Sequence, residues 1–365
     1  MDRNTIESAI RTLAADQEML ERFRADPAHE GEALGLDAEA SDVLMRADRD
    51  RLRAYGVGDG LSILVSRWFA NDIADSGSHG AFVVDRISPL PPADVPVNLV
   101  FAGACSHVPD ILARPEIDDP DAVTRLKEGY AELGRRIAAA DLDVLIVTTD
   151  CHFQSFETGA FVIGVADRHE GSLAFFKRAD IALSLTGDVP LAKQIGEAAR
   201  QSGLEVELAQ RVDLDHGLIV PLAQMLPRDD LPVVPIVTQP ARSFSPFNAR
   251  AFGQAVRSVV GGSGRRVGIL ATGGLSHWLD PGKFGTVDRE FDTYILDMIG
   301  EGRGIDLADL EPFPLLAHGQ YEFLNWIIML GLVGPGVRGD IICYEPMEAS
   351  GGGWAVLEMT LPAHA

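Results

Sequence analysis

Basic residues are scarce in this chain. Its 31 Lys and Arg stand against 54 Asp and Glu, a formal net charge of −23. That balance argues against nucleic acid and anionic membranes as partners, because both repel a strongly acidic surface. Cysteine is almost absent: Cys105, Cys151 and Cys343 are the only three in 365 residues. Three cysteines build no disulfide framework, which suits a reducing compartment and leads us to expect a cytoplasmic protein. Cys105 and Cys151 read as small buried residues at strand ends. No run of 18 apolar residues occurs, so no membrane span is expected. The N-terminus Met-Asp-Arg-Asn-Thr-Ile-Glu lacks the apolar stretch of a signal peptide. Internal repeats and low-complexity tracts are also missing. What is present is ordinary for a globular protein, with 46% hydrophobic and 23% charged residues.

The pattern changes along the chain. Ile6, Ile10, Leu13, Met19, Leu20 and Phe23 recur at helical spacing. Asp26-Pro27 punctuates, and Asp37 reads as the N-cap of a further helix. Short helices are also expected over 48–56 and 61–73. Residues 1–82 therefore read as a small all-helical domain without catalytic groups, and as a lid over the rest of the chain. Residues 83–97 are proline-rich and read as an extended linker. Residues 98–365 alternate short apolar strands with helices. Strands are expected over 98–104, 143–149, 159–165, 205–209, 232–238, 266–272, 340–344 and 353–360. Helices are expected over 121–140, 190–202, 216–225, 247–260, 287–300 and 320–332. This alternation predicts an α/β fold, a central mixed or parallel sheet flanked by helices, with its chemistry at loops beyond strand ends.

Histidines collect at those ends. His107 follows the strand beginning at Asn98, within the small-residue turn Gly103-Ala-Cys-Ser-His. His152 follows Val144-Leu-Ile-Val-Thr-Thr-Asp-Cys, with Asp150 as a candidate to orient a ring. His216 opens a helix in Asp213-Leu-Asp-His-Gly, where the helix terminus favours a neutral imidazole that can act as a base. His277 follows Gly273-Gly274, which permits close backbone approach. His29, His79, His169 and His364 read as surface residues, and His318 as a candidate helix cap. Two imidazoles and a carboxylate can hold a metal on one face and leave other positions open. Glu290, 13 residues beyond His277, is one candidate carboxylate. Asp280, Asp288 and Asp292 compete with it, and Glu290 also reads as a solvated carboxylate complementing a helix dipole.

Taken in order, Ala104-Cys-Ser-His-Val-Pro, Thr149-Asp-Cys-His, Asp215-His-Gly-Leu-Ile-Val-Pro-Leu, Gly273-Gly-Leu-Ser-His and Arg289-Glu-Phe-Asp resemble the class III extradiol ring-cleavage dioxygenases of the LigB superfamily. The nearest likeness is to the protocatechuate- and gallate-cleaving members. Ala33-Leu-Gly-Leu with Asp48-Arg-Asp-Arg-Leu-Arg-Ala-Tyr-Gly-Val is similar to their small alpha subunit, which in that family partly covers the active site. The resemblance implies Fe(II) held by His107, His152 and Glu290. It makes His216 the acid–base residue and places His277 beside the substrate. The substrates implied are an aromatic diol and O2, and a homo-oligomer, a dimer, is expected. Only 64 residues separate His152 from His216, fewer than in the protocatechuate enzymes, so the loops shaping the ring pocket are expected to be remade. Arg242, Lys283 and Arg289 are candidates to hold a substrate carboxylate. Competing readings are aminophenol-type ring cleavage, a zinc hydrolase using His107 and His152, and a metal-binding or regulatory protein on the same scaffold.

Overall fold

A computed structural model describes residues 3–15, 17–46, 51–52, 55, 94–154, 156, 160–240, 244–278, 283–310 and 312–362. The helix expected over 61–73, most of the one expected over 48–56, most of the 83–97 linker, His79 and His364 lie outside the described residues. The chain divides into two compact units, residues 1–81 with 278–284 and residues 82–277 with 285–365.

In the first unit, helices Arg3–Ala15, Gln17–Ala25, Pro27–Ala33 and Ala38–Met45 enclose a small core built around Ile6, Ile10, Leu13, Phe23 and Leu44. Asp37 caps the last of these helices, its carboxylate accepting from the Ala40 amide at 2.8 Å.

The second unit is a layered α/β fold. Strands β1 (Leu99–Cys105), β2 (Val144–Asp150), β3 (Phe161–Gly164), β6 (Val206–Ala209), β7 (Val233–Thr238), β8 (Val267–Thr272), β9 (Gly339–Met347) and β10 (Gly352–Met359) form one sheet in the order β6-β3-β7-β2-β8-β1-β10-β9. The central neighbours β7, β2, β8 and β1 run parallel. Every residue of β2, β7 and β8 is buried, as expected where helices cover both faces of a parallel sheet. Alternation along β2 sends Val144 and Ile146 into one hydrophobic layer and Leu145 and Val147 into the other.

The helices follow from their own apolar stripes. Pro120–Ala139 starts on Asp119, which accepts from the Ala122 amide, and buries Val123, Leu126, Tyr130, Leu133 and Ile137 at three- and four-residue steps. Phe323–Val333 has no polar face and is buried on every side. No described helix is long and apolar enough to cross a membrane.

One element has no counterpart among the strands expected from the sequence. Strands β4 (Arg168–Leu173) and β5 (Arg178–Thr186) form a separate antiparallel hairpin. It has no unbroken apolar run; β5 instead alternates, with Ile181, Leu183 and Leu185 at every second position and polar or small residues between them. His169, expected at the surface, is buried in β4, because the strand's alternation turns it inward against Gly164.

Candidate metal centre and active site

The parallel strands β1, β2 and β8 end side by side, and each is followed by a histidine. His107 lies just beyond β1 and is 2% exposed. Its Nδ1 is 3.1 Å from Thr272 Oγ1, and that hydroxyl donates to Gly217 O at 2.9 Å. With its one proton spent there, the hydroxyl accepts from His107 Nδ1–H, and Nε2 keeps its lone pair. His152 follows β2 and is set in the same way. Its Nδ1 donates to Asp215 Oδ2 at 3.0 Å, while Asp215 Oδ1 accepts from the Gly217 amide. The Nε2 atoms of both rings are buried and have no hydrogen-bond partner among the described residues. Two basic nitrogens without a proton to share are costly to bury unless something electrophilic meets them.

The carboxylate on the same buried space is Glu322. Its Oε1 lies 3.4 Å from His107 Nε2, and Oε2 accepts from the Gly274 amide. Burial raises the Glu322 carboxyl, but the His107, His277 and His152 imidazoles reverse this and hold it well below its ordinary range. Gly273, at φ 142°, allows the approach, because a Cβ there would come within 2.8 Å of Glu322 Cβ. Asp150 completes the set: ligand atoms of His107, Asp150, His152 and Glu322 all lie within 4.8 Å of one another. Asp150 Oδ1 accepts from Thr238 Oγ1 and Asn325 Nδ2, while Oδ2 is buried without a partner among the described residues. Burial, then the Glu322 charge, pushes its carboxyl up to about 7.

Glu290 is not part of this arrangement. It is exposed in the first turn of helix Arg289–Gly300 and belongs to no such cluster among the described residues. Asp288 caps that helix through the Phe291 amide, so the next two side chains point along the first turn into solvent. Of the other competing carboxylates, Asp292 is fully buried but spends its oxygens on Ser276, Gln320 and Tyr344. Burial nonetheless pushes its carboxyl up. Asp280 lies outside the described residues.

His216 is the first residue of helix His216–Met225, whose N-cap is Asp215. Its ring centroid lies 4.0 Å from that of His152 and 5.4 Å from that of His107. Burial, reinforced by those two imidazoles, holds its pKa well below the ordinary histidine value. A second donor cluster, His107, His152 and His216, results from this proximity. His277 Nδ1–H donates to Gly351 O at 2.8 Å, since a carbonyl can only accept. Its other nitrogen is left unprotonated in the neutral ring. His318 does not cap the following helix; its Nδ1 meets Asp288 Oδ2 at 2.6 Å. Among the proposed carboxylate holders, Arg289 is exposed and faces Glu348 at 3.5 Å, and Lys283 lies 5.7 Å from the Trp278 ring centre. Arg242 lies outside the described residues.

The family model for the catalytic LigB subunit of aromatic ring-opening dioxygenase matches residues 102–355. The chain belongs to this family. The LigB match contains every histidine of the cluster together with Glu322. Curated relatives include proteins named 2,3-dihydroxyphenylpropionate/2,3-dihydroxicinnamic acid 1,2-dioxygenase. The one from Klebsiella pneumoniae is 29% identical, over 47% of this chain and 54% of its own. The one from Azotobacter vinelandii is 31% identical, over 44% and 53%. A Pseudomonas putida protein of that name is 27% identical, over 56% and 61%. The chain thus spans little more than half the length of the relatives it matches. An uncharacterized Escherichia coli protein, JW3007, shares the fold, with a TM-score of 0.50 and 15% identity over 71% of this chain and 99% of that one.

Proposed function

We propose that this LigB-family chain is an Fe(II)-dependent extradiol dioxygenase that opens the ring of a catecholic substrate with O2. The observation that carries the reading is the pair of buried Nε2 lone pairs on His107 and His152, facing a buried carboxylate. Two imidazoles and one carboxylate are the ligand set that suits non-haem Fe(II). In this reading Glu322 takes the role that the family resemblance assigns to Glu290. Asp215 and Thr272 act behind the ligands by fixing both ring tautomers.

Bound iron would supply a Lewis acid for the chelated diol and a conduit for electrons between ring and O2. His216 stands next to the ligand rings as a neutral imidazole and takes a proton from a substrate hydroxyl. It would hold that proton at the ring-cleavage side of the site and be able to return it to a reacting oxygen. His277, fixed through its Nδ1–H to Gly351 O, serves on the substrate side of the site in this reading. Both oxygen atoms enter the product, a muconic semialdehyde-type acid. The names of the relatives fit a vicinal diol with a side chain, and a protocatechuate- or gallate-like ring stays within the same chemistry.

Metal analysis and oxygen uptake test this. Wild-type protein reconstituted anaerobically should hold one Fe(II) per chain and consume O2 with a catechol. Glu322→Gln should lose most of the iron, and Glu290→Ala should keep it. Iron retained in Glu322→Gln and lost in Glu290→Ala would return Glu290 to the ligand set. The three-imidazole cluster would suit zinc instead. Zinc bound without oxygen uptake would therefore replace this reading with a hydrolytic one.

A further inference from the structure

Two of the exposed large apolar side chains are Phe153 and Phe175, 51% and 71% exposed, and they lie against each other with ring centroids 4.3 Å apart. Phe176 joins them, 5.2 Å from Phe175 and 6.2 Å from Phe153. The cluster runs directly into the histidines. Phe176 is 5.1 Å and Phe153 5.4 Å from the His216 ring, and Phe153 is 6.2 Å from the His152 ring. Phe175 and Phe176 sit at the tip of the β4–β5 hairpin, in the 3-10 turn Ala174–Phe176 that Lys177 closes at φ 61°.

The hairpin is held in place by the backbone. Leu214, two residues before His216, donates to Glu170 O at 3.0 Å, and Gly171 bridges to Leu214. Gly171 tolerates no larger residue, since a Cβ there would lie 1.9 Å from Leu214 O. Arg178 anchors the second strand through Leu112 O at 2.6 Å. The phenyl tip is therefore positioned by the same segment that positions His216.

We infer that Phe153, Phe175 and Phe176 form the wall on which the non-reacting, apolar substituent of the ring substrate lies. The inference rests on the catechol reading above and narrows its substrate class to diols carrying an alkyl or aryl side chain. Water-exposed phenyl surface is costly to maintain, and contiguous aromatic surface beside a reactive centre is the usual lining of a small-molecule site. A second copy of the chain would cover such a patch equally well. Its continuity with the His216 and His152 rings favours the substrate.

The test compares catechol with 3-propylcatechol on iron-loaded full-length wild type and Phe175→Ala, by anaerobic equilibrium binding and by kcat and KM. Phe175 is so exposed that its removal should leave folding and iron content unchanged. Phe175→Leu serves as a second variant that keeps an apolar surface. In Phe175→Ala the dissociation constant for 3-propylcatechol should rise about five- to tenfold, the range of one aromatic contact, while that for catechol changes less than about twofold. Phe175→Leu should recover part of the loss, and kcat should move little in either variant. Equal effects on both ligands, or none, would overturn the wall. A dimer that becomes monomeric on Phe175→Ala, with the two ligands affected alike, would overturn it in favour of a subunit contact. Wild-type protein that turns over neither diol would instead overturn the catechol reading itself.

Discussion

At the residue scale, the site is an exercise in where protons are kept. His107 and His152 each spend Nδ1–H on a hydroxyl or carboxylate acceptor, so both present Nε2 to the same buried space. His216 differs, because its Nδ1 is buried and meets no hydrogen-bond partner among the described residues. It is free to trade a proton. His216→Phe should therefore keep its iron and lower kcat by about 10²–10⁴-fold, the usual contribution of a general acid–base group. Single-turnover rates with iron content measured on the same sample check this. Unchanged kcat removes His216 from the mechanism, and an empty metal site makes it a ligand. His169 illustrates the opposite use of burial. It is buried, and burial lowers its pKa, a backbone contact with Val212 opposing. Its folded-state pKa thus lies below the unfolded value of about 6.5. The unfolded chain binds the proton first, so stability falls as pH drops below about 6.5 and goes on falling toward the folded pKa. His216 acts in the same direction. Urea unfolding at pH 7.5 and pH 5.5 should show a smaller acid loss for His169→Phe than for wild type; equal losses would assign the effect elsewhere.

At the element scale, the strand ends decide which side chains meet, and polar hubs hold those ends. Asp292, in the first turn of helix Arg289–Gly300, accepts from the Ser276 amide and hydroxyl, from Gln320 Nε2 and from Tyr344 OH. It thereby ties the segment after β8, which carries His277, to that helix and to β9. Asp292→Ala would remove the acceptor of the two Ser276 donors, of Gln320 Nε2 and of the part-buried Tyr344 OH, and should destabilise the chain by about 3 kcal/mol or more. Asn at this position keeps two of the geometries and should cost less. Denaturant titration of both variants measures this, and an Ala variant within about 0.5 kcal/mol of wild type would show that water replaces the carboxylate. The strands themselves are legible in the sequence: all eight expected runs form the main sheet, and the central β2, β7 and β8 read as unbroken apolar stretches because they are parallel and fully buried. The β4–β5 hairpin has no such run; its signal is the alternation of Ile181, Leu183 and Leu185 in β5, which a search for apolar runs passes over. That omission conceals the phenyl tip. The short 152–216 interval marks the region as remade without showing how.

At the scale of the whole molecule, order in the sheet does what order in the chain cannot. β1, β2 and β8 lie in the sequence β2-β8-β1, which brings the turns after Cys105, Asp150 and Thr272 to one edge although long stretches of chain separate them. Catalytic groups gather at such an edge because the carboxyl ends of parallel strands leave a crevice there. The sequence by itself determined that His107, His152, His216 and His277 would stand at strand ends or a helix start, because strand period, small-residue turns and helix capping are local properties. It also carried the family, through short motifs in a set order. The choice of carboxylate was different. Glu290 sits in a local pattern that looks right and points to solvent, whereas Glu322, in Gln320-Tyr-Glu-Phe, has no pattern of its own. Glu322 reaches His107 because Gly273 lets its backbone pass close and the Gly274 amide holds its second oxygen. Those are contacts between segments distant along the chain, and only the packed sheet and the helix buried against it bring them together.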